Sequence, residues 1–169
     1  MDVVFTPEAL AFLDKTLAAH AGRTAVIFAH CPLKNTVLDR DPARKLDDDS
    51  LTRFFFVENS PAVRDILARH PNSALYICGH THSGWGSPQL IHTETLGTHP
   101  LTNVNLMSPW YTSFNGPVKS EDGQTLEYRS DDPDMLASFA VHVYQHKAII
   151  RVRDHRTQQW LAQWDVPIT

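Results

Sequence analysis

Three histidines follow directly on two apolar segments of the chain and have the residue type and spacing of metal ligands. His30 stands in the segment IFAHCPL, and His80 and His82 stand in the segment YICGHTH. Neutral imidazole is the commonest metal ligand in proteins, and three imidazoles with a bound water form a catalytic zinc set. These residues therefore predict a metal site if the chain brings them together.

Two predicted strands are the elements that must position these histidines. The runs TAVIFA (24–29) and SALYIC (73–78) are short and almost entirely apolar, which is typical of strands buried on both faces. Ligands bind outside the carboxyl ends of parallel strands, so His30 and His80 are expected to lie close together although 50 residues (80 − 30) separate them. Gly79 is expected to allow the sharp turn before His80.

Helix signals precede both strands. Thr6, Pro7 and Glu8 have the residue types of an N-cap and a first helical turn, and Gly22 offers a stop. Ser60-Pro61 begins a second helix that Pro71-Asn72 ends. The order helix, strand, loop, helix, strand predicts an α/β fold with parallel central strands.

The second half of the chain has the sequence pattern of β structure, with short strand-like runs separated by turns. The sequence predicts strands over residues 90–95 and 103–107, then an antiparallel meander over 139–144, 148–154 and 159–166. Residues 34–59 are expected to form an extended active-site loop with a helical turn near 50–55. Residues 109–133 are expected to form a surface loop with one short strand.

Composition excludes several classes of protein. The 169 residues are 42% hydrophobic and 20% charged, which fits one globular domain and excludes a wholly disordered chain. The net charge of −4 gives no basic field for a nucleic acid. No apolar run reaches the roughly 18 residues of a membrane span, so no membrane partner is expected. Two cysteines are too few for a disulfide scaffold, so the cytoplasm is the expected compartment.

The two histidine motifs, in this order, resemble the last two metal-binding motifs of the calcineurin-like metallophosphoesterases. The first helix and the closing hairpins also resemble that family, so the resemblance covers most of the chain. It implies an α/β sandwich with a mixed sheet and a C-terminal antiparallel meander. It also implies hydrolysis of a phosphate mono- or diester at a centre of two divalent ions, Mn, Fe or Zn. By that resemblance His30 and His80 bind one metal, and His82 binds the other.

The family's earlier motifs, Asp-x-His, Gly-Asp-x-x-Asp and Gly-Asn-His-Glu/Asp, do not occur in the equivalent places. Residues 1–169 therefore look like the C-terminal portion of such a domain. Half a sandwich leaves strand edges and an apolar face exposed. We therefore expect self-association, a partner chain or a missing N-terminal half.

Other interpretations stay open at this point. The chain could be a non-catalytic metal-binding or interaction module, a truncated inactive fragment, or a mononuclear zinc hydrolase. Cys31 and Cys78 adjoin the histidine motifs and suggest a His/Cys zinc site, although strand alternation favours buried, unreactive thiols. Thr81 and Cys31 are expected beside the ligands. Three aromatic residues could stack on a substrate or pack at the rim, namely Trp85, Trp110 and Tyr111. The acidic run is expected to be solvated (Asp47, Asp48, Asp49), and the apolar run is expected in the core (Phe54, Phe55, Phe56, Val57). The other histidines are expected at the surface or at helix caps: His20, His70, His92, His99, His142, His146 and His155.

Overall fold

A computed structural model describes residues 3–37, 56–81, 90–106 and 136–168 and the strand residues 118–119 and 125–126. Four of its strands form a mixed sheet. In chain order the four strands are β1 (Ala25–Phe28), β2 (Ser73–Cys78), β3 (Ile91–Leu96) and β4 (His99–Asn105). Their order across the sheet is β1-β2-β4-β3, with β1, β2 and β4 parallel and β3 antiparallel to β4. The predicted parallel centre is confirmed.

Two helices pack on one face of this sheet. Helix α1 (Pro7–Ala19) begins where predicted, with the Thr6 side chain accepting a hydrogen bond from the Ala9 amide at 3.2 Å. Helix α2 (Ser60–Arg69) also begins at the predicted Ser-Pro pair. His70 at its end contacts Asp14 of α1 at 2.6 Å, which links the two helices. Neither helix of the described residues is long and apolar enough to cross a membrane.

A second, three-stranded sheet packs on the other face. Strands β7 (Ala137–Val143), β8 (Lys147–Asp154) and β9 (Trp160–Pro167) form the predicted antiparallel meander. Before it, β5 (Val118–Lys119) pairs antiparallel with β6 (Thr125–Leu126). The region predicted to hold one short strand therefore holds two. The α/β fold class with a mixed sheet and a closing meander is confirmed.

Strand β2 lies between the two apolar cores, which explains its unbroken apolar sequence. Leu75 and Ile77 pack with Ile150 of the meander, whereas Tyr76 and Cys78 belong to the core beneath the helices. Alternating side chains of one strand thus reach opposite layers. Both faces of β2 are buried, as its composition predicted.

The β3–β4 hairpin turns at Gly97, which has a φ of 59°. A Cβ atom at this position would lie 2.8 Å from the Ala68 carbonyl oxygen of α2, so glycine is required for space as well as for conformation. Strand β4 begins four residues before the predicted position 103. Its buried polar residues, such as Thr102 and Asn103, concealed the apolar pattern.

The described ends of the 34–59 segment are anchored to the core. Leu33 forms a parallel β-bridge with Val57. Phe56 and Val57 are both buried, which confirms the predicted core packing for these two residues. The expected helical turn near 50–55, the acidic run 47–49 and residues 54–55 lie outside the described residues.

Strand β1 is an edge of the four-stranded sheet. Within the described residues it pairs with β2 alone, so one row of its backbone groups faces away from the sheet. Phe28, its last residue, is 73% exposed. An edge of this kind, with an exposed aromatic residue, differs from the charged or covered edges that are usual in monomeric proteins.

Candidate metal centre

His30 and His80 meet at the carboxyl edge of the parallel strands. The ladder between β1 and β2 continues past the strand ends, because the Ala29 amide donates to the Ile77 carbonyl (3.0 Å) and the Gly79 amide donates to the His30 carbonyl (3.0 Å). This pairing aligns the two histidines across the edge. Nε2 of His30 lies 3.0 Å from Nδ1 of His80, and the two rings meet edge to face with centroids 4.8 Å apart.

Cys31 completes a three-residue cluster at this edge. One potential ligand atom from each of His30, Cys31 and His80 lies within 4.8 Å of the other two. His30 is exposed, His80 is half-buried and Cys31 is buried, so a metal would reach the cluster from the imidazole side. His82, the third predicted ligand, lies outside the described residues.

His80 occupies the centre of a γ-turn. Its φ is 70°, and the Thr81 amide donates to the Gly79 carbonyl at 2.8 Å. A positive φ is strained for a residue with a side chain and is typical of functional positions. The sequence-based expectation that Gly79 makes the sharp turn is wrong. Gly79 does not have a positive φ, because its amide continues the strand ladder, and the left-handed conformation falls on His80.

Asn105 joins the two segments that carry the histidines. Its buried amide nitrogen donates to the Thr81 hydroxyl at 2.6 Å and to the Val37 carbonyl at 3.1 Å. Thr81 follows His80, and Val37 lies in the segment that follows His30. The sequence analysis did not single out Asn105, although a polar residue at the carboxyl end of an otherwise apolar strand is a signal that could have indicated it.

The segment that follows His30 is held against α2 and β2. The Lys34 amide donates to the Ser60 hydroxyl (2.8 Å), and the Arg64 guanidinium donates to the Lys34 carbonyl (2.7 Å). The Tyr76 hydroxyl donates to the Cys31 carbonyl at 3.0 Å. These bonds fix the backbone of the segment that carries Cys31, so this side of the cluster is preorganised.

Both cysteines are buried and free, so no disulfide joins them. Burial raises the pKa of the Cys31 thiol. Burial also raises the pKa of the Cys78 thiol, with a smaller effect from the neighbouring Cys31. The Cys78 thiol donates to the Val104 carbonyl at 3.4 Å. Both thiols therefore keep their protons at neutral pH unless a cation displaces them.

Most of the other candidate residues stay apart from the cluster. His20, His92, His142, His146 and His155 are exposed, as expected. Trp85, Trp110 and Tyr111 lie outside the described residues.

His99 corrects the expectation of a surface or capping role, because it is only 3% exposed. Its Nε2 lies 3.1 Å from the Ser73 hydroxyl, which itself donates to the His70 carbonyl. The imidazole therefore donates to Ser73. Within the described residues its Nδ1 has no hydrogen-bond partner.

The layers of the α/β fold are similar to those of a solved phosphatase structure. The crystal structure of a dimetal phosphatase from Danio rerio aligns with 98% of this chain at a TM-score of 0.58 and 14% identity. The chain spans 39% of the length of that phosphatase. No protein-family profile and no curated protein matches the sequence. At this identity the likeness shows the fold, and the activity has to be argued from the site.

Proposed function

We propose that this chain supplies the histidine side of a two-metal centre in a calcineurin-like phosphoesterase that hydrolyses phosphate mono- or diesters. The observation that carries the proposal is the approach of the His30 and His80 nitrogens to 3.0 Å, at the carboxyl edge of a parallel sheet. The fold is shared with a dimetal phosphatase, which supports the same chemistry.

In this proposal His30 and His80 hold one divalent ion and His82 holds the other. The two imidazoles fit this role because their ring nitrogens lie 3.0 Å apart, and imidazole suits Fe and Zn while a mixed site also accepts Mn. A pair of such ions activates water and stabilises the leaving oxygen of a phosphate ester. The protein's contribution is a backbone that holds both rings in place through Asn105 and the β1–β2 ladder.

The cluster of described residues supplies no acidic ligand for such a centre. The cluster found among the described residues contains two histidines and a cysteine and no carboxylate. In the part of the chain that the structure describes, strand β1 pairs on one side only, and the chain corresponds to 39% of the phosphatase that it resembles in fold. We propose that a further segment, from the same protein, a partner chain or a second copy, supplies the carboxylates. The free thiols support a reducing compartment, and we propose the cytoplasm.

Elemental analysis of the purified chain, run with a measurement of its solution mass, tests the ligand assignment. His30→Ala and His80→Ala are each expected to lower the bound metal by more than half, whereas the exposed His142→Ala on β7 is the matched control and keeps it. Unchanged metal stoichiometry in both ligand variants would rule out these residues as ligands. Hydrolysis of a chromogenic phosphodiester, lost on chelation and restored by metal, tests the activity itself.

A second candidate function is a metal-binding module without hydrolysis. The absence of a carboxylate from the cluster of described residues favours it, because nothing there would serve as an acidic bridge between two metals. This candidate predicts that one metal binds per chain and that neither a phosphomonoester nor a phosphodiester is hydrolysed. Two metals per chain with activity would exclude it.

A further inference from the structure

Cys31 lies in a bend and not in a strand, which changes the expected direction of its side chain. Strand β1 ends at Phe28, and His30 and Cys31 follow in the bend beyond it. The alternation that directs neighbouring strand residues to opposite faces therefore does not apply to this pair. Consecutive residues can therefore bring their ligand atoms to the same side, and the ligand atoms of His30 and Cys31 lie within 4.8 Å of each other in the cluster.

The spacing of the three ligand atoms is close to that of a tetrahedral zinc site. Two nitrogens at about 2.0–2.1 Å from one zinc lie about 3.3 Å apart, and a nitrogen and a sulfur lie about 3.6 Å apart. The His30 and His80 nitrogens are already 3.0 Å apart, and no two ligand atoms of the cluster are more than 4.8 Å apart. The three atoms are therefore within about 1 Å of the spacing that a tetrahedral zinc requires.

The ligand atoms of this cluster are nitrogen and sulfur, whereas the sites that bind harder ions are built from oxygen atoms. Thiolate is a soft ligand that selects zinc and other thiophilic ions, whereas Mn²⁺ and Mg²⁺ prefer carboxylate, carbonyl and water. Imidazole and thiolate are both zinc ligands, and three protein ligands with a fourth position for water are the arrangement of catalytic zinc sites. The cluster contains no carboxylate that would favour a harder ion.

We propose that the Cys31 sulfur is the third ligand of the metal held by His30 and His80, and that this position takes zinc in preference to manganese. The proposal rests on the metal ligation of these two histidines proposed above. Binding breaks the S–H bond and forms a sulfur–metal bond, and the proton passes to solvent, so nothing is oxidised or reduced. The bend backbone, fixed by the hydrogen bond from Tyr76 to the Cys31 carbonyl, holds the sulfur beside the imidazoles.

Cobalt substitution of the full chain tests this proposal directly. A cobalt–thiolate bond gives an intense charge-transfer absorption in the near ultraviolet, which cobalt bound to imidazole and oxygen lacks. The chain contains two cysteines, so Cys78→Ala leaves Cys31 as the single thiol. We expect the Cys78→Ala variant to keep the absorption and the Cys31→Ala variant to lose it. In competition, the preference of zinc over manganese should fall at least tenfold in Cys31→Ala.

Each result supports or overturns a stated part of the proposal. Cobalt that binds to the wild-type chain without the charge-transfer absorption, or an absorption that persists in Cys31→Ala, overturns sulfur ligation and leaves the histidine ligands standing. Failure to bind cobalt at all overturns both. If Cys31→Ala does not fold, X-ray absorption of zinc-loaded Cys78→Ala decides, because the proposal requires a sulfur neighbour at about 2.3 Å.

Discussion

His80 combines a proposed ligand role with an unfavourable backbone. A left-handed residue with a side chain costs on the order of 1–2 kcal/mol, and such strain persists where the surrounding structure holds it for function. Here the surrounding structure is the γ-turn and the Asn105 hydrogen bond to Thr81. The backbone strain at His80 thus accompanies the placement of its imidazole 3.0 Å from that of His30.

Substitutions at position 80 separate strain from ligation. Both His80→Gly and His80→Ala should lose metal, but the glycine variant should be more stable than the alanine variant by roughly 1 kcal/mol, because glycine adopts a φ of 70° without a steric penalty. Urea unfolding of both metal-free variants measures the difference. Equal stabilities would show that the backbone at this position is not strained.

The buried His99 predicts a dependence of stability on pH. Burial lowers the pKa of this imidazole below its ordinary value of 6.5, so the unfolded chain binds the proton more readily than the folded one. The stabilisation is complete above pH 6.5 and is lost as the pH falls from there towards the lowered pKa. Between pH 7.5 and pH 5, the free energy of unfolding should fall less in His99→Gln than in the wild-type chain, because the variant lacks the buried imidazole. Urea unfolding at the two pH values measures this difference.

The exposed His142 supplies the control for this experiment. His142→Gln should show the same loss of stability between pH 7.5 and pH 5 as the wild-type chain. If His99→Gln also follows the wild-type profile, the buried imidazole does not cause the pH dependence.

At the residue scale, the sequence predicted the meeting of His30 and His80 because each stands at the end of an apolar run. It did not predict Asn105 or the burial of His99. Both are polar residues inside β4, where their burial depends on partners from β2 and the segment after β1. Such partners are brought together by tertiary packing, which a local pattern does not contain.

Between elements, one side chain of β4 bonds to the segments that follow β1 and β2. We predict that Asn105→Ala weakens zinc affinity by about 10–100-fold, as is usual when a group that orients metal ligands is removed. Zinc titration against a chelating dye measures the affinity. Thr81→Ser, which keeps the hydroxyl that accepts from Asn105, should bind zinc like the wild-type chain.

A neighbouring asparagine provides the control for stability effects. Asn103 lies on the same strand and is equally buried, but its amide donates to Glu94 at 3.0 Å, away from the histidines. Asn103→Ala should lower stability and leave zinc affinity unchanged. Equal losses of zinc affinity in both asparagine variants would mean that Asn105 acts through general stability alone.

The β3–β4 hairpin depends on Gly97. Gly97→Ala should destabilise the fold by roughly 1–3 kcal/mol, because the new methyl group would lie 2.8 Å from the Ala68 carbonyl and the φ is positive. Gly22→Ala is the control, since a Cβ there meets no atom within 4 Å. Urea unfolding compares the two, and similar stabilities would contradict the packing argument.

Elements were predicted more reliably than their boundaries. The helix starts at Pro7 and Ser60 followed from capping chemistry, and β2 followed from its apolar run. The start of β4 was placed too late because buried polar residues interrupt its pattern. The pairing of β5 with β6 was missed because two-residue strands carry no periodicity.

Within the described residues of the molecule, strand β1 leaves one edge unpaired and carries an exposed aromatic residue at its end. We predict that the purified chain associates with increasing concentration and that Phe28→Lys reduces this association without lowering thermal stability, because charge on an edge opposes pairing. Sedimentation velocity over a range of concentrations measures it. Phe12→Lys on α1 is the control, since that exposed aromatic lies off the edge. A chain that is monomeric throughout would contradict this prediction.

The position of Asn105 in the chain also sets an order of events during synthesis. The ribosome makes His30 first and Asn105 75 residues later (105 − 30), so pairing of β1 with β2 brings the two histidine segments together before Asn105 exists. The hydrogen bonds from Asn105 to Thr81 and Val37 form only after β4 has paired with β2. The nascent chain therefore acquires its two histidine ligands before it acquires the side chain that steadies them, and tight metal binding follows the docking of β4.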